Sequence, residues 1–250
     1  MTLHLLKLQP DMVRLGRWAR DHRLLPARGD DDLGYALHAL LAAAFGELAP
    51  KPFLLQQDAP RPAALLAYSV HRIDALRDHA AAFAEPDALA ALGVDALAGK
   101  AMPDRFAAGR RLGFAVRVRP TVRTDRGGQR DRVREVDAFL AAVTGTEPGA
   151  GPERGAVYRD WLAQRLRAGG AEPEAVSLDS FRLSDALRRG TGRALRPQPG
   201  PDAAFTGVLR VAEPDAFAAL LGRGVGRHRA FGYGMVLLRP PPGNPVGAPC

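Results

Sequence analysis

The segment FTGVLRVAEPDAFAALLGRGVGRHRAFGYGMVLL, Phe205–Leu238, carries the most information about the fold of this 250-residue chain. It begins as an apolar strand, continues as a helix with Pro214 near its start, passes through a glycine loop and ends in a second apolar strand. The loop follows a helix and enters a strand, which is the reverse of a dinucleotide-binding fingerprint, and no Gly-Lys-Ser/Thr follows it. The segment therefore predicts a strand–helix–strand unit that is not a nucleotide-binding fold.

The residues before this segment supply the other elements of the same unit. LGFAVRVRP, Leu112–Pro120, alternates apolar residues with arginine and is the clearest strand in the chain. A Gly-Gly turn inside a charge run follows, and then two helical segments, REVDAFLAAVTG (134–145) and PERGAVYRDWLAQRLRAGG (152–170). AVSLDSFRLSDALRRGTGRALRP (175–197) predicts either a β-hairpin or an extended excursion. Together these segments predict a β-α-β-β-α-β unit over residues 110–242.

The first part of the chain repeats this order of elements. LHLLKL (3–8), KPFLLQQD (51–58) and AALLAYSVHR (63–72) predict strands, and DDLGYALHALLAAAFG (31–46) and IDALRDHAAAFA (73–84) predict helices. A fourth strand would complete the unit, and GKAMPDRFAAGRR (99–111) is predicted to be the linker. We therefore predict an α+β fold of two tandem ferredoxin-like (RRM-like) domains, at 1–105 and 110–242, with a disordered tail at 243–250.

Composition favours a nucleic-acid partner. The net charge is +8, and the chain has only three lysines, so arginine supplies nearly all of the positive charge. Arginine binds phosphates bidentately, although a GC-rich genome would also enrich it. Cys250 is the only cysteine, which excludes a disulfide within the chain and a cluster of thiolate metal ligands. No apolar run is long enough for a signal peptide or a membrane span, so we expect a soluble, cytoplasmic protein without a membrane partner.

The glycine loop is the first candidate site. Glycine permits positive φ and close approach of a ligand, and exposed N–H groups beside arginine form a phosphate cradle. The alternative is a turn in which the glycines serve backbone geometry alone. The candidate residues are Gly224, Gly226, Arg227, His228, Arg229, Gly232 and Gly234.

A Tyr-His pair on the first predicted helix is the second candidate site. On a helical wheel Leu37, Leu40, Leu41 and Ala44 form the core stripe, whereas His38 lies at its edge and Tyr35 on the far side. The pair is three residues apart, so the two side chains are neighbours on the helix surface. The alternative is an incidental surface tyrosine beside a histidine at the edge of the core.

These pieces together resemble the CasE family of CRISPR RNA-processing endoribonucleases, which belong to type I-E systems. The glycine pairs and the basic segment between them match the family's C-terminal loop. AMPDRFAAGRRLGFAVRVRPTVR resembles its domain junction, YRDWLAQRL its tryptophan-bearing helix, and Tyr35 and His38 fall on its YxxH pair. Two features depart from the family. The lysine that some members carry after the histidine is absent from Leu41–Ala44, and RTDRGGQRDRVRE is longer and more charged.

The resemblance implies a metal-independent endoribonuclease that needs no cofactor. Such an enzyme cuts CRISPR precursor RNA at the base of the repeat stem-loop, leaving a 2′,3′-cyclic phosphate and a 5′-OH. It then stays on the 3′ hairpin of the crRNA within Cascade, so other Cascade subunits, including backbone and Cas5-type proteins, are implied partners. His38 would act as base or acid, because imidazole titrates near neutral pH, and Tyr35 would orient the 2′-OH or the phosphate. His228 would contact phosphate or carry a second proton.

Clustered arginines would form the RNA-binding face, because hairpin RNA is gripped mainly by its shape and phosphates. They are Arg117, Arg119, Arg123, Arg126, Arg130, Arg132, Arg134, Arg188, Arg189, Arg193 and Arg196. For each one alone, a solvated surface arginine is the alternative. A non-catalytic subunit that anchors guide RNA with the same fold and basic face remains the alternative function.

Overall fold

We describe the fold from a computed structural model of the chain. The structure describes residues 2–25, 33–57, 60–124, 134–145, 147, 151–189 and 195–242, and for residues 124, 134, 188, 189, 195 and 196 it describes only the backbone. The tail predicted to be disordered, 243–250, lies outside these residues. Across the described ranges, no helix has the length and apolarity that crossing a bilayer requires.

The described residues of the first unit form four strands and four α-helices. The strands are β1 (His4–Leu8), β2 (Phe53–Gln56), β3 (Ala64–Ser69) and β4 (Ala98–Ala101). The helices are α1 (Met12–Asp21), α2 (Gly34–Phe45), α3 (Ile73–Phe83) and α4 (Pro86–Leu92). Pro86 stands at the start of α4, where its missing N–H costs no hydrogen bond, and Gly93 ends that helix with positive φ.

The second unit contains a four-stranded sheet and a separate two-stranded hairpin. The strands of the sheet are β5 (Arg111–Val118), β8 (Ala171–Arg189), β9 (Leu195–Val211) and β10 (Leu237–Arg239). The hairpin consists of β6 (Thr121–Thr124) and β7 (Arg134–Asp137). The helices are α5 (Ala138–Val143), α6 (Arg154–Arg167) and α7 (Pro214–Arg223), and a 3₁₀ turn at Arg229–Phe231 lies within the glycine loop.

The two sheets share one topology. The strand orders are β2-β3-β1-β4 and β10-β5-β9-β8, and every neighbouring pair is antiparallel. In each unit the first and third strands are therefore central, which is the arrangement of a β-α-β-β-α-β fold. The predicted α+β fold with two tandem ferredoxin-like units is confirmed. We propose that these units are the domains at 1–105 and 110–242.

Three local predictions were incomplete. The predicted linker contains most of β4, an edge strand of sequence AGKA whose four residues are all exposed and which has no apolar pattern. Helices α1 and α4 were not predicted, although Leu15, Trp18 and Ala19 of α1 have helical spacing and are buried. Strands β6 and β7 flank the charge run, so the helical segment predicted from residue 134 begins as a strand, and the closing strand is shorter than its apolar sequence indicated.

Each unit has its own core, and the two units pack together. The predicted stripe of α2 is fully buried in the first core, with Leu6, Leu8 and Leu65 of the sheet. The opposite face of this sheet carries Tyr68, which belongs to the second core. Its hydroxyl donates a 3.0 Å hydrogen bond to the carbonyl of Val236, and burial raises its pKa. This packing brings α2 of the first unit next to the glycine loop of the second.

Candidate functional site

The four glycines shape the loop that follows α7. Gly224, Gly226, Gly232 and Gly234 all have positive φ, between 72° and 83°. A Cβ on Gly234 would collide with the carbonyl oxygen of Val225, whose own N–H donates to the Gly234 carbonyl at 2.8 Å. A Cβ on Gly226 would meet the ring of Trp161 from α6 at 2.9 Å. The glycines are therefore required by backbone geometry and close packing, whatever the loop binds.

A buried carboxylate holds the basic part of the loop. Glu135 on β7 accepts a hydrogen bond from the imidazole of His228 at 3.0 Å and pairs with the guanidinium of Arg227. The His228 side chain is only 3% exposed, and its backbone has φ 59°, which is rare for a residue other than glycine. The imidazole thus helps to tie the loop to β7, and its role as a phosphate contact or second proton carrier stays a prediction.

Phe231 joins the glycine loop to the Tyr-His pair. Its ring stacks on that of Tyr35, with centroids 5.9 Å apart and planes 16° from parallel. It also meets the imidazole of His38 in an edge-to-face contact, with centroids 5.0 Å apart. Tyr35 and His38 are themselves in edge contact at 6.2 Å, and both are half-buried. Two residues nearly 200 positions from the loop are thereby held against it.

The environment of His38 favours its neutral form. Burial lowers the pKa of this imidazole from its ordinary value of 6.5, and the positive charge of Lys51 lowers it further. Lys51 precedes β2 and is exposed. It supplies a cation beside the histidine although α2 lacks the expected lysine. Nothing in the sequence near Lys51 indicates this contact, because it depends on how β2 packs beside α2.

A basic cleft opens beside this cluster. Its volume is about 730 Å³, and it runs between the end of β3, the turn before β2 and the glycine loop. Its basic side chains face two carboxylates, Glu47 and Glu135. The basic residues are Lys51, His71, Arg223, Arg227, His228 and Arg229. Within the described ranges, no group of three or more His, Cys, Asp or Glu residues has metal-binding geometry.

Arg117 and Arg119 share one side of the strand, as predicted, but both are engaged inside the protein. Arg117 binds the two carboxylate oxygens of Asp202 at 2.8 and 2.7 Å and lies over the ring of Tyr233. Arg119 is 2% exposed and donates to Ser184 and to the carbonyl of Gln198. The structure therefore gives the Arg119 guanidinium a bracing role within the β8–β9 hairpin in place of the surface position we expected.

The other predicted arginines divide into three groups. Arg123 is exposed on β6, and Arg229 donates to the carbonyl of Arg223 at 2.8 Å. Arg134, Arg188, Arg189 and Arg196 lie on strands whose backbone alone is described at these positions. Arg126, Arg130, Arg132 and Arg193 lie outside the described residues. Sequence reasoning did not identify Lys51, Phe231 or Glu135, although the last two lie in segments already selected.

Fold and site together define a class of protein in which two ferredoxin-like units meet across a glycine-rich loop. Solved structures share this architecture over nearly the whole chain, although their low sequence identity makes them evidence for the fold alone. One is a CRISPR endoribonuclease, Cse3, bound to a 19-nucleotide RNA, which is 20% identical with a TM-score of 0.62 and covers 96% of this chain and 100% of that one. Another is the CRISPR-associated protein Cas6e from Escherichia coli str. K-12, which is 18% identical with a TM-score of 0.56 and has the same coverage.

A third similar chain comes from a CRISPR RNA-guided surveillance complex in a pre-nicking state. It is 21% identical with a TM-score of 0.57, and the match covers 95% of this chain and 99% of that one. A comparison with curated protein sequences finds no significant match. The family model described as "CRISPR associated protein" matches residues 3–240. The chain therefore belongs to the CRISPR-associated protein family, which confirms the predicted resemblance at the level of family and fold.

Proposed function

We propose that this protein is a metal-independent endoribonuclease that cuts CRISPR precursor RNA at the base of the repeat stem-loop. The observation that carries the proposal is the placement of His38. This half-buried imidazole is held neutral beside a cation, and an aromatic side chain of the glycine loop packs against it. The imidazole is not itself among the residues that line the basic cleft, but it contacts Phe231, which is. A neutral imidazole in this position is suited to taking a proton from an RNA hydroxyl.

The reaction requires no group outside the chain and the RNA. His38 takes the proton of the 2′-OH, the 2′ oxygen forms a bond to the adjacent phosphorus, and the bond from phosphorus to the 5′ oxygen breaks. The products are a 2′,3′-cyclic phosphate and a 5′-OH, the latter receiving a proton from the protonated imidazole or from water. Lys51 offsets the negative charge that develops on the phosphorane, and Tyr35 orients the 2′-OH or the phosphate.

The family and the structural comparisons support this proposal at a coarser level. A similar fold binds RNA in the Cse3 complex and occurs in a surveillance complex. We propose that the present chain likewise keeps its crRNA hairpin after cleavage and joins other Cascade subunits, including backbone and Cas5-type proteins. The exposed arginines and the basic cleft would hold the RNA by its phosphates.

Cleavage of a labelled CRISPR repeat hairpin in the presence of EDTA tests the proposal. We expect one cut in wild type, with a cyclic phosphate on the 5′ fragment, and no cut when the attacking 2′-OH is replaced by hydrogen. His38→Ala should bind the hairpin normally without cutting it. His79→Ala is a matched control, because His79 on α3 packs on the exposed ring of Phe83, whereas His38 packs on Phe231 of the glycine loop. Binding without cleavage by wild type from about pH 6 to 9 would instead establish the non-catalytic alternative, an RNA-anchoring subunit.

A further inference from the structure

A second groove continues from the basic cleft along the end of the first sheet. Val70, which follows β3 and is exposed, lines both the cleft and this groove of about 680 Å³. The strand register places Ser69 opposite His4, and His4 opposite Ala101, so the ends of β3, β1 and β4 are level. Neighbouring strands are about 4.8 Å apart, so this row spans about 10 Å. The groove therefore begins where the cleft ends and crosses to the far edge of the sheet.

The groove is cationic and well exposed. Arg72, Arg77 and Lys100 line it with one carboxylate, Asp74, and all four residues are exposed. The Arg77 guanidinium also donates to the carbonyl of Leu97 at 2.7 Å, which holds this cation in place. Apart from the imidazole of His4, no aromatic ring occurs among the described residues that line the groove. Its chemistry therefore suits phosphate groups and offers little surface on which bases could stack.

We propose that this groove binds the phosphates of the single-stranded RNA that adjoins the repeat hairpin. The inference rests on the proposed function, which places the base of the hairpin at His38. Phe231 and Lys51, which adjoin His38, line the cleft, and the cleft would lead the strand from them past Val70 towards Arg72 and Lys100. The cleft and the groove are both positively charged, so a polyanion such as RNA can follow them without a break. An acidic protein surface could also bind the groove, but it would not require the groove to be connected to the cleft. Because the groove would contact only phosphates, its affinity would not depend on the base sequence of the single-stranded RNA.

The salt dependence of binding gives the size of the effect. Each phosphate contact to a single strand contributes about 0.7 to the slope of log affinity against log salt concentration. Arg72 and Lys100 would together contribute about 1.4 to this slope. The contribution should appear only for an RNA that carries the single-stranded extension. A hairpin without the extension does not reach the groove, so its affinity and slope should not change.

The experiment compares Arg72→Ala/Lys100→Ala with wild type on three RNAs. One RNA is the bare hairpin, and the others carry a single-stranded extension on the 5′ or the 3′ side. All have a 2′-deoxy nucleotide at the cleavage site, so binding is measured independently of catalysis. Lys7→Ala/Arg14→Ala is the matched control, because it removes the same two charges from exposed positions outside the groove. Anisotropy titrations from roughly 50 to 200 mM salt give the slopes.

We expect one extension to strengthen wild-type binding and the groove variant to lose that gain, together with about 1.4 of the slope. The control variant should keep both. The inference is wrong if neither extension strengthens binding, if the groove variant keeps the gain, or if it weakens the bare hairpin equally. Because these RNAs cannot be cut, absence of cleavage in the separate nuclease assay would refute the proposed function without deciding this one.

Discussion

Replacing Phe231 with alanine tests whether the glycine loop positions the Tyr-His pair. The ring makes the stacked contact with Tyr35 and the edge contact with His38, and alanine removes both. The two side chains would then be free to take other rotamers on the surface of α2. Because Phe231 is not proposed to touch the reacting atoms, its loss should alter the orientation of the pair and leave RNA binding unchanged.

The expected effect follows from the two ring contacts. An aromatic pair contributes about 0.5–1.5 kcal/mol beyond the area it buries, so two pairs contribute about 1–3 kcal/mol. If this energy serves to orient His38, kcat falls about 5- to 150-fold, since each 1.36 kcal/mol is about tenfold in rate. Loss of the ring also exposes His38 to water. Burial is the main cause of its lowered pKa, so that pKa should rise towards its ordinary value of 6.5.

Single-turnover cleavage of the repeat hairpin over a range of pH measures both consequences. We expect a lower rate at saturating enzyme, a similar affinity for RNA, and an acid limb displaced to higher pH. Phe231→Tyr keeps the ring and should retain most of the rate, whereas Phe231→Leu keeps apolar volume without it. Phe83→Ala is the matched control, because Phe83 is 77% exposed and packs against His79, away from the site.

Two results would refute this reasoning. A wild-type rate in Phe231→Ala, with unchanged folding, would show that His38 is oriented by other groups. A loss of RNA affinity that accounts for the whole defect would show that Phe231 contacts RNA directly and does not act through His38. A role in packing alone would reduce stability without moving the pH profile, so the displaced acid limb separates positioning from packing.

Three further changes test the electrostatics and the loop. Lys51→Ala removes one of the two causes that lower the pKa of His38 and leaves only burial, so this pKa should rise. The acid limb of kcat/KM in a pH–rate profile should therefore shift to higher pH. Glu135→Ala removes the carboxylate that binds Arg227 and His228. We expect it to lower the free energy of unfolding, measured by urea titration, by about 1.5–3 kcal/mol. An unchanged urea midpoint would contradict the role of Glu135 as an anchor of the loop. Gly234→Ala should cost about 3 kcal/mol or more, because positive φ and a backbone collision combine. Gly109→Ala, at similar φ in open space, should cost only about 1 kcal/mol, and equal losses would contradict the collision.

Sequence patterns sufficed for the fold because both units follow local rules. The stripe on α2 and the alternation on β5 each predict the buried face correctly, and the apolar segments occur in the order that the topology requires. Strand β4 was not predicted because its sequence AGKA is exposed throughout and has no apolar periodicity. Helix α1 was missed despite a sufficient signal, since Asp11 caps it and its buried residues have helical spacing.

The candidate site was only half predictable, because it is assembled from distant segments. Helical spacing showed that Tyr35 and His38 are neighbours, glycine spacing drew attention to the loop, and the family resemblance made both of them candidate sites. Nothing local indicates that Phe231 packs on them, or that Lys51 reaches the histidine from the turn before β2. The alternation of apolar residues and arginine correctly placed Arg117 and Arg119 on one face of the strand. Whether that face reaches solvent depends on how the β8–β9 hairpin packs, which the alternation does not show.

The structure changes the interpretation of the glycine loop. Its glycines are explained by positive φ and by close contacts with Trp161 and Val225, and Glu135 binds Arg227 and His228. In the function we propose, the loop contributes a side chain to the chemistry, the ring of Phe231, and the cradle of N–H groups stays a prediction. Because His38 belongs to one unit and this ring to the other, the proposed site forms only when the two units are packed together. Substitutions at their interface, such as loss of the Tyr68 hydrogen bond to Val236, should thus impair cleavage before they unfold either unit.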